Sequence, residues 1–354
     1  MFFRKPKEIV GLDIGSSAVK VVQLRGSEAE GYSLAKFGVI PLAPEMIVDG
    51  AVMDAGRVIE AIQTLFKEQD IRTKQVVISV SGHSVIVKKI TLPEMTEEEL
   101  TESIKWEAEQ YIPFDINDVN MDFQILNTVP GAEGRPQMNV ILVAVKKDKL
   151  NDYFSLAVEA GLDPAIVDVD AFALENMYGL NYDVVEGEAT ALVNIGASVT
   201  NINILLSGTF AFTRDISIGG NRYTEAVQKD LGISHEEAER AKMGGMEGVD
   251  EEALAGVLEG VSKEIASEIL RSFGYFRTTA NHDRIDRVLL SGGSAKMPNF
   301  IPFLQERLEI PVEMADPFRK ITFDPAQFDP DYLRESGPMA AVAMGLGTRR
   351  LGDR

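Results

Sequence analysis

Asp13-Ile-Gly15-Ser16-Ser17 places a carboxylate, a glycine and two hydroxyls within five residues, behind apolar Leu12 and before the β-branched run Val19–Leu24. That set suits an anion. If one strand ends at Asp13 and the chain returns as another, Gly15 lets the backbone turn where a side chain would clash. The amides and hydroxyls of the turn then face a phosphate. Asp13 can hold a hydrated Mg²⁺ through water, because Mg²⁺ keeps several of its waters. Lys20 follows, placed either to reach the phosphates or to face solvent. The pattern returns downstream. Gly11–Val19 and Leu192–Thr200 align without gaps, setting Asn194 on Asp13, Gly196 on Gly15 and Ser198 on Ser17, with Thr200 closing the repeat. The offset is 194 − 13 = 181 residues. Two facing hairpins can grip a polyphosphate from both sides, which one turn cannot.

Two further glycine sites accompany them. Ser291-Gly292-Gly293-Ser294 allows a base or ribose to approach the backbone closely. Ile218-Gly219-Gly220-Asn221 precedes a helical stretch, whose first amides favour an anion. No G-x-G-x-x-G opens a helix after the first strand and no P-loop sequence is present. Asp168 and Asp170 are the one carboxylate pair that could serve as a base beside a phosphate, but a strand-end structural role fits them better. His83, His235 and His282 show no metal-ligand spacing.

The elements that must carry these residues follow from periodicity. In both copies the motif is followed by extended runs, Val19–Leu24 and Tyr32–Ile40 in one, Asn201–Leu206 and Phe210–Ile218 in the other. Helical spacing then covers Asp54–Asp70 and Asn221–Leu231, the latter stopped by Gly232, and strands return at Gln75–Val80 and Arg287–Leu290. A helix over Pro298–Leu308 comes next. Both halves thus read strand, strand, strand, helix, strand. Two insertions interrupt them. One, between Ser81 and Leu162, opens with a capping box at Thr96 and Glu99, and its helix stops at Pro113. Strands at Val119–Leu126 and Asn139–Val145 and a helix at about Lys149–Ala160 complete a small α/β subdomain. The other, from Ser234 to about Asn281, is helical, opens with a capping box at Ser234 and Glu237, and carries a core stripe from Leu254 to Phe273.

Composition bounds the rest. The 354 residues carry a formal charge of 35 − 55 = −20, which argues against broad binding of nucleic acid backbones. With no cysteine, disulfide scaffolds, thiolate zinc sites and cysteine nucleophiles are excluded. The longest apolar runs, Val140–Val145 and Met339–Met344, are six residues and do not span a bilayer. Arg4, Lys5 and Lys7 have no apolar stretch behind them, so no secretory signal is expected and a cytoplasmic address is.

Together these stretches resemble the actin-like ATPase superfamily, with Gly11–Leu24 similar to its first phosphate motif, Leu192–Leu205 to its second and Val288–Ser294 to its adenosine motif. Within it, Ile9–Leu24, Leu92–Asp115 with Glu107–Phe114, Val167–Ala173 and Phe210–Gly220 resemble the PilM family of type IV pilus assembly proteins, relatives of the cell-division protein FtsA. The resemblance implies an α/β actin-like fold, two ribonuclease-H-like halves around a nucleotide cleft, with an FtsA-type small α/β subdomain and a helical insertion. On that reading residues 1–80 and 162–186, with a C-terminal helix at about 336–350, form the first half, 81–161 the subdomain, and 187–335 the second half with its insertion at 233–283. ATP or ADP with Mg²⁺ is the implied cofactor, and Glu239 and Lys242 fit the superfamily's Glu-x-x-Lys pattern at ribose and base.

The implied role is a scaffold on the cytoplasmic face of the inner membrane that captures the N-terminal cytoplasmic segment of PilN and contacts the pilus motor ATPases. The groove for that segment is implied to lie between the first half and the subdomain, with Val76–Val87 and Glu102–Ile112 as walls. An acidic surface is a poor anchor for anionic lipid, so membrane placement is expected through partners. One residue departs from the pattern. Asn194 stands where many actin-like ATPases carry an acid, and an amide brings no charge to offset Mg²⁺. No residue is identified for positioning an attacking water, so slow or absent hydrolysis is expected. Two other readings stand beside the scaffold: an FtsA-like filament, although Gly345–Arg354 is too short and glycine-rich for an amphipathic membrane helix, and a small-molecule kinase using Asp168 and Asp170.

Overall fold

In the computed structural model the β-branched run after each copy of the repeated motif pairs back onto the motif itself. The structure describes residues 8–27, 29–131, 135–246, 248–280 and 282–353, so the basic end Met1–Lys7 lies outside the described residues. β1 (Val10–Ile14), β2 (Ala18–Ser27) and β3 (Gly31–Pro41) form an antiparallel meander. A two-residue-strand hairpin, β4 (Ile47–Val48) and β5 (Ala51–Val52), turns at Asp49-Gly50, both with positive φ as a tight type I′ turn requires. α1 (Ala55–Glu68) starts at Asp54, whose carboxylate accepts from the Arg57 amide, and buries Val58, Ile62, Leu65 and Phe66. β6 (Gln75–Val80) then joins β1 in parallel.

The chain leaves this sheet for the subdomain. β7 (Val85–Pro93), α2 (Glu97–Glu109), β8 (Val119–Pro130) and β9 (Pro136–Lys146) make a three-stranded antiparallel sheet, ordered β7-β9-β8, under one helix. The Thr96 and Glu99 capping box forms as expected. Leu100, Ile104 and Ala108 of α2 pack on Val140, Leu142 and Ala144 of β9, a core of the subdomain's own. On the opposite face of α2, Trp106 is 79% exposed. α3 (Lys147–Glu159) returns the chain to β10 (Asp163–Val169), which pairs with β6 in parallel, and α4 (Asp170–Asn181) crosses toward the second half.

The second half repeats the first. β11 (Ala189–Ile195), β12 (Thr200–Leu206) and β13 (Thr209–Ile216) form the meander. α5 (Gly220–Leu231) ends at left-handed Gly232, and α6 (His235–Lys242), with its Ser234 and Glu237 capping box, and α7 (Glu251–Ala280) form the helical insertion. Val261, Ile265, Ile269 and Phe273 of α7 are buried, while Leu254, Val257 and Leu258 pack part-buried, so the stripe is core. β14 (Arg287–Ser291), α8 (Phe300–Leu308) and β15 (Val312–Met314) complete the sheet. The two orders are β10-β6-β1-β2-β3 and β15-β14-β11-β12-β13, one pattern used twice.

The chain ends in α9 (Pro330–Ser336), a 3₁₀ turn over Gly337–Ala340, and α10 (Ala341–Thr348), so the C-terminal helix expected near 336–350 begins only after Gly337-Pro338. α10 passes so close to α4 that a side chain on Gly345 would overlap the Ala173 carbonyl oxygen. Among the described residues no helix is long and apolar enough to cross a membrane.

Candidate functional site

The tips of the two motif hairpins line one cleft of about 810 Å³. In the first, the Gly15 amide donates to the Ala18 carbonyl at 3.1 Å, closing the turn after β1. A Cβ on Gly15 would lie 2.8 Å from the Lys20 ammonium, so the glycine leaves room for that lysine rather than for an unusual backbone angle. Lys20 neither projects to solvent nor stands free for phosphate. It pairs across the hairpin with Asp13 at 3.1 Å, both largely buried. Burial pushes the Asp13 carboxyl upward, Lys20 pulls it back, and Asp170 nearby pushes it up again.

The second hairpin has the same backbone and a different pair. The Gly196 amide donates to the Val199 carbonyl at 2.9 Å. Asn194 faces Asn201, the positions matching Asp13 and Lys20, and the Asn194 amide donates to Asn201 Oδ1 at 2.9 Å. A neutral amide pair replaces the ion pair. The chain of bonds continues outward: Ser291 Oγ donates to Asn194 Oδ1 at 3.2 Å, and Asn201 Nδ2 donates to Asp215 Oδ1 at 2.9 Å. The Gly82 amide donates to Asp215 Oδ2 at 2.6 Å. Burial raises the Asp215 pKa to about 6, against the pull of those two donors and with a push from Asp170. Asn201 and Asp215 were not among the residues singled out by sequence, yet they join the second hairpin to the entry of β7.

Around the hairpins, Gly292 sits at φ 92° with a Cβ position filled by Ile195 backbone, and Ser294 Oγ donates to the Gly196 carbonyl at 3.0 Å. The helix start at Gly219-Gly220 behaves differently from expectation. The Gly220 and Asn221 amides donate to the Gly196 and Ala197 carbonyls, at 2.9 and 2.8 Å, so they brace the hairpin instead of standing free for an anion. Gly219 packs on Ala197 outside the lining, and Thr200 is buried with its hydroxyl donating to the Ile218 carbonyl. The other expected residues, Asp13, Gly15, Ser16, Ser17, Lys20, Asn194, Gly196, Ser198, Gly220, Glu239, Lys242, Gly292, Gly293 and Ser294, all line the cleft. Lys242 donates to Glu239 at 2.6 Å and to Thr224 Oγ1 at 3.0 Å, and Thr224 also bonds Glu239.

The Asp168 and Asp170 pair separates. Two residues apart on a strand they would share a face, but α4 begins at Asp170 and turns it away. Asp168 is buried against Arg349, with Oδ2 3.3 Å from Nε, while Asp170 lines the cleft and accepts from Ser79 Oγ at 2.5 Å. His83 and His235 line the cleft, and His282 lies elsewhere beside Phe276. No group of three or more His, Asp or Glu side chains forms a metal cage among the described residues. Asp13, in the cleft lining at the end of β1, is the carboxylate that would accept from the waters of a hydrated Mg²⁺.

A second concavity of about 240 Å³ adjoins the cleft, and Val80, Gly82, His83 and Asp170 line both. Its walls are Val85–Val87 of β7 on one side and Thr213–Asp215 of β13, with Val169–Ala171, on the other. Val80, Gly82, His83 and Val85–Val87 of this lining fall within the Val76–Val87 stretch expected to wall a peptide groove, whereas the Glu102–Ile112 stretch packs on the subdomain core and does not line this concavity. β7 and β13 are each the outermost strand of their sheet.

Comparison with known proteins agrees with this architecture. A family model described as "Type IV pilus assembly protein PilM" matches residues 11–351. The chain is similar to the solved "PilM-PilN type IV pilus biogenesis complex", at 27% identity and a TM-score of 0.85 over 98% of this chain and 100% of that one. It shares its fold with the ethanolamine utilization protein EutJ from Carboxydothermus hydrogenoformans, at 15% identity and TM-score 0.57, over 97% of this chain and 90% of that one. MreB5 of Spiroplasma citri, solved bound to ADP, matches at 13% identity and TM-score 0.52, over 97% and 95%. The fold is actin-like, and the chain belongs to the PilM family of type IV pilus assembly proteins.

Proposed function

We propose that this protein is a nucleotide-binding scaffold of type IV pilus assembly, holding ATP or ADP with Mg²⁺ in the cleft and the N-terminal segment of PilN in the adjoining concavity. The observation that carries the reading is the shared wall. Val80, Gly82, His83 and Asp170 belong to both spaces, and the second hairpin reaches Gly82 through Asn201 and Asp215. What fills the cleft thereby bears on the strand that edges the groove. An extended peptide between β7 and β13 would meet two strand edges with apolar Val85, Ile86 and Val87 beside it, a surface suited to strand addition. The cleft suits a polyphosphate, with two hairpin tips, hydroxyls at Ser16, Ser17 and Ser198, and glycines at 292 and 293 for a nucleoside.

In this role Asp13 would orient the waters of the metal, Lys20 would offset the charge of that carboxylate, and Glu239 with Lys242 and Thr224 would present polar groups to a ribose or base. The metal supplies the charge that lets a polyphosphate sit among carboxylates. Turnover is slow, because Asn194 brings no second charge to the metal. Placement at the inner membrane and any link to the pilus motor come through partner proteins. The kinase reading loses its carboxylate pair, since Asp168 faces Arg349. The test is binding of a peptide copying the partner's N-terminus with Mg-ATP, with Mg-ADP and without nucleotide. Binding that differs between states supports the scaffold, and no binding in any state removes it. Asp13→Ala is expected to abolish thermal stabilisation by Mg-nucleotide. Stabilisation equal to that of the unaltered protein would refute the role given to the first hairpin.

A further inference from the structure

Three lysines line the cleft, and two of them have acidic partners: Lys20 pairs with Asp13 and Lys242 with Glu239. Lys149, third residue of α3, has no carboxylate within 4.0 Å among the described residues. Its ammonium donates to the Gly50 carbonyl at 2.5 Å and lies 3.9 Å from the centre of the Tyr153 ring. Burial without an anionic partner lowers its pKa to about 8, despite the more distant Asp170, Asp152 and Asp148. A part-buried ammonium held only by a neutral carbonyl gains from an arriving anion the Coulomb attraction between full charges, which the carbonyl dipole does not supply.

The position says which anion. Glu239, Lys242 and Ser294 belong to the second half, where Lys242 and Ser294 are tied to the second hairpin and the helix start beside it. Ser79, Asp170 and Lys149 come from β6, α4 and α3, and Asp170 acts on both Lys149 and Asp13 of the first hairpin. A nucleotide whose sugar lies by Glu239 and whose phosphates lie between the hairpins ends toward Lys149. The Gly50 carbonyl can release the lysine, since it also accepts from the Tyr153 hydroxyl at 3.2 Å. Gly50 is the turn of the β4–β5 hairpin, and Asp49, Gly50 and Ala51 line the same cleft.

We infer that Lys149 is the ligand of a terminal phosphate, leaving Gly50 for the last phosphate of a nucleoside triphosphate and thereby separating triphosphate from diphosphate. This rests on the nucleotide reading of the cleft. Lys149 then anchors the β4–β5 turn in the empty and diphosphate states and frees it in the triphosphate state.

The test measures binding of Mg-AMPPNP and Mg-ADP to the full chain and to Lys149→Met, with Lys149→Arg as the conservative variant. The methionine keeps the stem over Tyr153 and removes the charge. Expected is an affinity loss of about tenfold for AMPPNP, the scale of one charge-assisted bond, with ADP within about twofold and partial recovery in the arginine variant. Retained ADP binding also shows that the variant is folded. In parallel, amide exchange of the segment 47–52 in the unaltered protein should rise with AMPPNP and not with ADP. Equal losses for both nucleotides, or none for either, overturn the inference and leave the nucleotide reading standing. An unaltered protein that binds neither nucleotide overturns both.

Discussion

Glu175 on α4 offers a direct measure of how the two halves are joined. Its carboxylate accepts from the Phe210 amide of β13 at 3.2 Å, and Phe172 meets Phe210 edge-on beside it. Burial raises its pKa from 4.5 to about 7, the Phe210 amide pulls it down, and Asp168 adds a smaller push upward. A folded-state pKa above the unfolded value means that the protonated acid stabilises the fold. That contribution is fully present below about pH 4.5 and is lost as pH rises through about 7. The shift is about 2.5 pH units, and at about 1.36 kcal/mol per unit it is worth about 3 kcal/mol, or about 2 after allowing for partial exposure. Glu175→Gln keeps an acceptor for Phe210 and has no proton to lose. Urea unfolding of both proteins at about pH 5 and about pH 8.5 is the assay, and the difference between them removes titrations they share. The variant should gain on the unaltered protein by about 1.5 to 2 kcal/mol between those pH values. Parallel stability profiles would refute the claim that Glu175 is held protonated between the halves.

Two further perturbations address the seams of the fold. Arg349→Met leaves Asp168 buried without its cation and is expected to lower stability by about 3 kcal/mol near neutral pH, less as acid protonates the carboxyl, checked by the same unfolding assay. Gly345→Ala forces a methyl into the Ala173 carbonyl of α4 and is expected to cost about 3 kcal/mol or more, read as loss of soluble folded protein or a sharply lowered melting temperature. A melting temperature within a degree of the unaltered protein would show that α10 can move away freely.

Much of the frame was legible because it is written locally. Alternation, two capping boxes and Gly232 mark elements by residues a few positions apart, and the repeat at an offset of 181 predicts that one sheet order occurs twice. The two motif hairpins were legible for the same reason. The meaning of Asn194 was not, although one more aligned position would have exposed it. Lys20 matches Asn201, so the loss of the acid on one strand goes with the loss of its lysine on the next. The wall that β13 gives the second concavity, Asp215 included, depends on segments 133 residues apart meeting in space, as Gly82 and Asp215 do. Lys149 escaped notice because nothing in its neighbours tells which carbonyl it will find. Asp168 and Asp170 do not act as a pair because the strand-to-helix change between them alters the period, in line with the strand-end role read for them in the sequence.

The chain's single tryptophan, Trp106, stands in water on the outer face of α2, remote from both concavities. An indole so placed is a natural optical reporter for one helix of one subdomain. Excited beyond the reach of the tyrosines, its emission colour and its quenching by dissolved iodide or acrylamide register whatever covers that face. Trp106 lines neither concavity, so a molecule entering the cleft does not touch the indole. Contacts made by the outer subdomain can therefore be followed in unlabelled protein, separately from events in the cleft.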